Sequence, residues 1–193
     1  MTGSNQQNPT KAAVLVPIFV TQNPQSALAP LWEIPGTGKS VPLNEHTNVL
    51  FTLRTHSVEH HKGQISFPGG VYEPSDRDLL ATALRETHEE VGLAPDQVQV
   101  LGPLPKAITV TSAFEIHPFV GIIEANSVQL QINPYEIETS IFVPLPVLLD
   151  SASQKIETVE HEGRQYKLRS YFYREHRIWG ATARILSSLL SHT

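Results

Sequence analysis

Three glutamates lie close together in the segment RETHEEVGL, residues 85–93. If this segment is helical, at about 100° per residue, Glu86, Glu89 and Glu90 share a face about 100° wide. Another face is apolar and suited to burial, because it carries Leu80, Leu84 and Val91. Like charges three and four residues apart destabilise a helix by about 0.2–0.5 kcal/mol per pair. Because a divalent cation would reverse that repulsion, the glutamates predict a divalent-metal site on a helix.

The elements that would position this helix alternate between strand-like and helix-like patterns. We expect the helix from about Asp78 to Val91, ended by Gly92 and preceded by a Gly69-Gly70 loop. Apolar and β-branched runs predict strands at residues 12–20, 48–54, 98–102 and 116–124, with weaker signals at 128–131 and 141–144. This order of strands and helices predicts an α/β protein.

Three further segments have their own patterns. Residues 21–46 contain Pro24, Pro30, Pro35 and Pro42, and they predict a long structured loop or insertion. Residues 155–180 alternate around Glu162-Gly163, which predicts a hairpin. Residues 181–190 predict a closing helix. The insertion and the hairpin are also the places where a homodimer contact could form.

Composition limits the class of protein. The chain has 193 residues, 40% of them hydrophobic, so we expect a flexible tail at residues 1–11 and a single domain at 12–193. The absence of cysteine excludes disulfides, thiolate zinc sites and a cysteine nucleophile. A net charge of −5 argues against nonspecific nucleic-acid binding. No apolar segment approaches the roughly 20 residues of a membrane span, so we expect a cytoplasmic protein without a membrane partner.

Residues 70–93 resemble the Nudix box. Its pattern is Gly, five residues, Glu, seven residues, Arg-Glu, an aliphatic residue, any residue, Glu-Glu, any residue, Gly and an aliphatic residue. Residues 85–93 match the second half, with Thr87 in the aliphatic position. Asp76 stands where the pattern has Glu, and eight residues rather than seven separate it from Arg85. The resemblance implies a Nudix fold, in which a mixed β-sheet is sandwiched between α-helices, and hydrolysis of small nucleoside diphosphate-linked substrates with Mg²⁺ or Mn²⁺.

The flanking sequence resembles the branch of this family that contains coenzyme A pyrophosphatases. That branch shares the extra residue after Asp76 and a motif of the form His-x-Gly-Gln-Val-x-Phe-Pro-Gly-Gly, which corresponds to HKGQISFPGG at residues 61–70. Other segments that resemble the branch are LFTLRT (50–55), HPFVG (117–121), NPYEIETSIFVPL (133–145) and IWGATARIL (178–186). The resemblance spans about residues 12–190 and implies cleavage of coenzyme A (CoA), or a derivative, to 3′,5′-ADP and 4′-phosphopantetheine.

The metal site would use oxygen ligands, which Mg²⁺ and Mn²⁺ prefer. Glu86 and Glu90 are one helical turn apart and could bind one ion, while Glu89 reaches the same ion or a second. The resemblance adds a backbone carbonyl of the glycine loop, which we assign to Gly70. Arg85 would then orient a carboxylate, either Glu86 or Glu89. Asp76 is a candidate helix cap rather than a ligand.

The general base and the substrate contacts rest on the resemblance. Family members often use a carboxylate on a loop after the box, and Glu136 stands at such a position, with Glu138 as its neighbouring competitor. Glu89 is an alternative base because it would lie beside the metal. We therefore keep both Glu136 and Glu89. The expected substrate contacts are Arg54, His61, Gln64 and Gly69.

Two other functions remain open. The same box could hydrolyse ADP-ribose, nucleotide sugars or dinucleotide cofactors, because the box acts on the diphosphate and other loops select the attached groups. The 21–46 insertion is one place where such a difference in specificity could arise. Alternatively, the domain could be a noncatalytic nucleotide sensor, although the intact glutamate set favours an enzyme.

Overall fold

A computed structural model describes residues 9–22, 26–55, 63–109, 113–161 and 164–191. Within these ranges the α-helices are α1 Leu79–Val91, α2 Leu145–Leu149 and α3 Gly180–Leu190. The strands are β1 Thr10–Val20, β2 Leu31–Ile34, β3 Lys39–Pro42, β4 Thr47–Arg54, β5 Ile65–Ser66, β6 Gly69–Val71, β7 Gln99–Pro103, β8 Ala107–Ile108, β9 Phe114–Glu124, β10 Ile137–Pro144, β11 Gln154–His161, β12 Arg164–Tyr173 and β13 His176–Ile178.

A mixed sheet forms the centre of the structure. Its main strands lie in the order β10, β4, β1, β9 and β7, while the short strands β5, β6 and β8 pair with β4, β1 and β9 respectively. β1 and β9 are parallel, with a register that runs from Thr10 opposite Phe114 to Val20 opposite Glu124. β4 is antiparallel to both β1 and β10. The sheet therefore combines both strand directions, as the sequence predicted.

Apolar side chains form a separate cluster on each face of the sheet. One face packs against α1 through Leu15, Phe19, Leu50, Val91 and Ile123. The other face packs against α2 and α3, and its buried side chains include Val16, Phe51, Val143, Leu148 and Leu186. Burying a side chain of this size stabilises a fold by about 1.5–3 kcal/mol. The predicted arrangement of a mixed sheet between helices is confirmed.

Helix α1 begins and ends close to the predicted residues. Asp78 is its N-cap, and the Asp78 carboxylate accepts a hydrogen bond from the Ala81 backbone N–H at 2.8 Å. Gly92 ends the helix in the left-handed region, at a φ of 72°, which glycine adopts without strain. Asp78 rather than Asp76 caps the helix, so the suggestion that Asp76 is a cap was wrong.

The insertion at residues 21–46 is more ordered than a loop. Its second half contains the β2–β3 hairpin, in which Trp32 lies opposite Val41. Trp32, Ile34 and Val41 are all buried in the core cluster on the face of the sheet opposite α1. The hairpin therefore contributes to the core of the domain, because alternate residues on its strands face inward.

Other boundaries differ in smaller ways. Thr10 and Lys11, which we assigned to the tail, are the first two residues of β1. Residues 128–131 do not form a strand; their backbone instead runs beside α1, where Gln131 N–H donates to the Val91 carbonyl at 2.9 Å. The 141–144 signal is the end of the longer β10.

The hairpin within residues 155–180 is confirmed by the antiparallel pairing of β11 with β12, and β13 adds a third strand. The predicted turn at Glu162-Gly163 lies outside the described residues. Among the described residues, no helix combines the length and apolar character that crossing a membrane requires.

Candidate active site

The Gly69–Gly70 backbone of β6 lies directly against the charged face of α1. Gly69 N–H donates a hydrogen bond to Glu90 Oε2 at 3.2 Å. A Cβ atom at Gly70 would lie 2.3 Å from the carboxyl carbon of Glu86, closer than two such atoms can approach. Glu86 and Glu90 therefore flank the same two backbone residues. The predicted helix face and the predicted glycine loop come together here.

Glu90 is an almost fully buried carboxyl group, with 1% of its surface exposed. Arg54 Nη1 donates to Glu90 Oε1 at 2.8 Å. Burial raises the pKa of Glu90 to about 8, although Arg54 and the Gly69 N–H favour the charged form. The negative charges of Glu86 and Glu136 raise this pKa further. A bound cation would oppose that rise by stabilising the carboxylate.

Glu86 is the second carboxyl group of this pair. Its side chain is 16% exposed, and Arg85 Nη2 lies 3.0 Å from Glu86 Oε1. Burial raises the pKa of Glu86 above its ordinary value, while the charge of Arg85 opposes the rise. Repulsion from Glu89 and Glu136 acts in the same direction as burial. The site thus concentrates negative charge where water is largely excluded.

Arg85 contacts more carboxylates than the sequence predicted. Its closest partner is Asp76, whose two oxygens accept from Nε at 2.8 Å and Nη2 at 3.1 Å. Glu86 and the exposed Glu89 are the additional partners, with Glu89 at 3.3 Å from Nη1. The hydrogen bond to Asp76 raises the pKa of Arg85, which stays charged. The expectation that Arg85 mainly orients Glu86 or Glu89 therefore missed its strongest partner.

Asp76 is itself held in place by two other donors. The Thr82 hydroxyl donates to Asp76 Oδ2 at 2.8 Å, and the Glu73 backbone N–H donates to the same oxygen at 3.0 Å. The hydrogen bond from Arg85 lowers the pKa of the Asp76 carboxyl well below its usual range, despite its burial. Asp76 occupies the position of the first acidic residue of the box, which was the available signal for this role. Helix α1 is continuous from Leu79 to Val91, so the spacing of Arg85, Glu86, Glu89 and Glu90 on its surface does not depend on the number of residues between Asp76 and Arg85.

Glu136 reaches the site from the segment that precedes β10. The Asn133 side-chain amide donates to Glu136 Oε1 at 3.2 Å, and Asn133 backbone N–H donates to the Glu90 carbonyl at 2.9 Å. Thr55 N–H donates to the Glu136 carbonyl at 2.9 Å, which joins this segment to the end of β4. Glu138 is exposed on β10. The choice of Glu136 or Glu89 as general base stays a prediction.

The predicted substrate contacts have different surroundings. Arg54 forms an ion pair with Glu90, and its side chain is 22% exposed. Glu90 therefore offsets part of the positive charge that Arg54 could offer to a substrate phosphate. The Gln64 carbonyl accepts from Arg54 N–H at 3.1 Å, which ties the start of the glycine loop to β4. Gly69 contacts Glu90, as described above. His61 lies outside the described residues.

The donor set has the chemistry of a hard-cation site, because it consists of carboxyl groups beside a glycine backbone. In the described part of the chain, no three acidic or histidine side chains already converge on one point. A set of two carboxylates is compatible with Mg²⁺, which keeps several waters and commonly uses one or two carboxylates together with substrate phosphates. The close contact between Gly70 and Glu86, and the hydrogen bond from the Gly69 N–H to Glu90, place the glycine backbone beside both carboxyl groups, where a cation would offset their mutual repulsion.

Adding one methyl group to each glycine of the loop should separate activity from stability. Gly70→Ala is expected to lower kcat about 10- to 100-fold with the fold retained, because its Cβ would displace only the flexible end of Glu86. Gly69→Ala should destabilise the fold, because its Cβ would lie 2.3 Å from the Ala13 carbonyl oxygen and its φ is +150°. Thermal unfolding and steady-state rates of both variants test this difference. Full activity in folded Gly70→Ala would contradict the role of that close approach.

Comparison with known proteins identifies the family. Residues 39–162 match the profile of the NUDIX domain. The chain therefore belongs to the Nudix hydrolases, a family of hydrolases that act on phosphorus-containing anhydrides in small nucleoside diphosphate substrates. Members of this family generally use divalent metal ions such as Mg²⁺ or Mn²⁺.

Two relatives are similar over most of their length. Both are described as uncharacterized Nudix hydrolase NudL. The Photorhabdus laumondii protein is 38% identical over 141 residues, which cover 73% of this chain and 74% of the relative. The Pectobacterium atrosepticum protein is 35% identical over 175 residues, covering 89% and 88%.

Solved structures support the fold. A MutT/nudix family protein from Enterococcus faecalis aligns over 97% of this chain and 63% of its own, with a TM-score of 0.57 and 12% identity. A MutT protein from Methanosarcina mazei aligns over 76% and 84%, with a TM-score of 0.50 and 15% identity. At these identities the likeness concerns the fold alone.

Proposed function

We propose that this Nudix hydrolase cleaves the diphosphate of CoA or its derivatives, giving 3′,5′-ADP and 4′-phosphopantetheine. In the reaction, the oxygen of one water adds to one phosphorus of the diphosphate. The bond from that phosphorus to the bridging oxygen breaks, and the bridging oxygen leaves with the other phosphate. Both products are therefore phosphate monoesters, and no oxidant or further reactant is consumed.

The observation that carries the substrate proposal is that separate segments resembling the CoA pyrophosphatase branch contact either the carboxylates or the strand that leads into the glycine loop. Arg54, from the 50–55 segment, binds Glu90. Asn133, from the 133–145 segment, donates to the Glu90 carbonyl through its backbone N–H and to the Glu136 carboxylate through its side chain. Thr182, from the 178–186 segment, donates to the Ile65 carbonyl beside the glycine loop at 3.1 Å. Resemblance that is dispersed in sequence but clustered in space supports a shared site better than the box alone.

The residues that would hold Mg²⁺ or Mn²⁺ are Glu86 and Glu90, with the Gly70 carbonyl and with Glu89 as a further ligand. When bound, the ion would neutralise phosphate charge and lower the pKa of a coordinated water. The chain itself excludes bulk water around Glu90, and Arg85 fixes Glu86 and Glu89 through its contact with Asp76. Glu136 or Glu89 would accept the proton of the attacking water.

Two alternatives share this site. A Nudix hydrolase of ADP-ribose, nucleotide sugars or dinucleotide cofactors would use the same carboxylates, because those substrates also contain a diphosphate. A noncatalytic sensor would bind nucleotides without turnover. The glutamates and Arg85 are all present and are held by neighbouring residues, which favours catalysis over sensing.

A substrate panel separates these possibilities. We expect purified protein to hydrolyse CoA with a higher kcat/KM than ADP-ribose, NADH or a nucleotide sugar, in the presence of either Mg²⁺ or Mn²⁺. Comparable cleavage of ADP-ribose with negligible cleavage of CoA would overturn the CoA proposal. Nucleotide binding without hydrolysis of any compound would favour the sensor.

A further inference from the structure

A groove of about 410 Å³ lies on the face of the sheet that packs against α1. Its floor comes from Phe19, Asn48, Ser140 and Phe142, and residues of the 128–132 segment, including Ile132, form one wall. The Phe19 and Phe142 rings meet edge to face, with centroids 5.1 Å apart. Phe142 is nevertheless 40% exposed, which is unusual for an aromatic ring on this face of the sheet.

The register of β4 and β10 connects this groove to the carboxylate site. Side chains alternate along β4, so Asn48 lies on the same face as Arg54, which binds Glu90. In β10, Ser140 is opposite Thr52, and Phe142 is opposite Leu50. The Ser140–Thr52 pair is only two residues from Arg54, or about 7 Å along the strand. Asn48 is six residues from Arg54, or about 20 Å. The groove thus begins beside the site and leads away from it along the sheet.

The lining of the groove is uncharged for most of its length. Among the described residues that form it, none is lysine or arginine. The imidazole of His46 lies 3.7 Å from the Glu45 carboxylate, which would offset its charge if it were protonated. Amides and hydroxyls come from Asn48, Gln129, Thr21 and Ser140, between apolar side chains.

The two halves of CoA differ in the surroundings they require. The 3′-phosphoadenosine half carries a phosphate monoester, which is usually recognised by lysine or arginine. The pantetheine arm is long and uncharged, with two amide groups and a dimethyl carbon. An uncharged groove with amides, hydroxyls and an exposed aromatic ring matches the arm and does not match the phosphorylated nucleoside.

We propose that this groove binds the pantetheine arm of CoA and that Phe142 is a specificity-determining residue that packs against it. The inference rests on the proposed function and adds which half of the substrate lies along β4 and β10. Phe142 does not act on the reacting atoms. Its contribution is to the binding of the pantetheine half and to discrimination against diphosphates that lack pantetheine.

Product inhibition tests the groove, because each product represents one half of CoA. In Phe142→Ala, the inhibition constant of 4′-phosphopantetheine and the KM for CoA should each rise about tenfold, while inhibition by 3′,5′-ADP changes less than about twofold. Phe172→Ala is the matched control, because Phe172 is the same residue type, is 39% exposed and lies on β12 in another sheet. The control should leave both inhibition constants unchanged. Phe142→Leu supplies a second variant with an apolar side chain if the alanine variant folds poorly, and its losses should be smaller.

The possible outcomes distinguish this inference from the proposed function. Weaker inhibition by 3′,5′-ADP alone would assign the groove to the nucleoside half and overturn the pantetheine assignment. Unchanged inhibition by both products would show that the groove is not part of the substrate-binding site. Binding of 4′-phosphopantetheine to wild type and to Phe142→Ala, measured by calorimetry, requires no turnover. Absence of CoA hydrolysis by the wild type would defeat the proposed function, whereas equal calorimetric affinities, or no binding to the wild type, would defeat the groove assignment.

Discussion

Glu90→Gln should lower the kcat for CoA hydrolysis at least about 100-fold while the protein stays folded. The substitution keeps the size of the side chain and removes the charge that would bind Mg²⁺ or Mn²⁺. The fold should tolerate it because the amide oxygen can still accept a hydrogen bond from Arg54 or Gly69, and because Arg54, which loses a charged partner, is partly exposed to solvent. Steady-state rates over a range of metal concentrations, together with circular dichroism, measure both effects.

The control for this substitution is Glu33→Gln. Glu33 is an exposed carboxylate on β2, and the buried residues of its hairpin belong to the core cluster on the face of the sheet opposite α1. It should keep wild-type activity and stability. Near-normal hydrolysis by folded Glu90→Gln in the presence of Mg²⁺ would contradict the assignment of Glu90 as a metal ligand.

Asp76→Asn should destabilise the protein by about 2–3 kcal/mol at pH 7, because Arg85 loses a buried ionic partner. The Arg85 hydrogen bond lowers the pKa of Asp76 in the folded state from an ordinary value of 3.8. The ionised form of Asp76 therefore stabilises the fold above about pH 4, and this contribution is lost as pH falls through the lower, folded-state pKa. The difference between wild type and variant should accordingly be smaller at pH 3 than at pH 7.

Urea denaturation at the two pH values measures the Asp76 effect directly. Asp96→Asn is a suitable control, because Asp96 is exposed in the turn after α1 and is not a partner of Arg85. We expect the control to change the free energy of unfolding little at either pH. An equal loss of stability for Asp76→Asn at pH 3 and pH 7 would show that the charge of Asp76 is not the stabilising feature.

Local sequence patterns predicted the helix of the site and the strands around it. Helical phase depends on a continuous run of residues, so the shared face of Glu86 and Glu90 followed from spacing alone. The β2–β3 hairpin was harder to predict, because its prolines and glycines are typical of loops while its burial depends on a core cluster built from residues distant in sequence. Residues 128–131 are apolar enough for a strand, but their backbone hydrogen bonds are made with the end of α1.

In the candidate site, too, the features set by local sequence were predicted, and the contacts between distant elements were not. Spacing placed the glutamates on one face, and resemblance to the family brought the glycine loop and Glu136 into consideration. Neither predicted that Arg54 would pair with Glu90, or that Asp76 would be the closest partner of Arg85. Both contacts join different elements, and their formation depends on how the sheet and α1 pack together. The groove beside Phe142 likewise arises from cross-strand register, which a single sequence does not reveal.

The most direct test of the central claim is the identification of products by mass spectrometry after the wild-type protein is incubated with CoA and Mg²⁺. Our account predicts equal amounts of 3′,5′-ADP and 4′-phosphopantetheine, with no reaction in excess chelator and recovery when Mg²⁺ or Mn²⁺ is restored. Intact CoA under conditions where ADP-ribose is cleaved, or cleavage of CoA that persists undiminished in chelator, would contradict it.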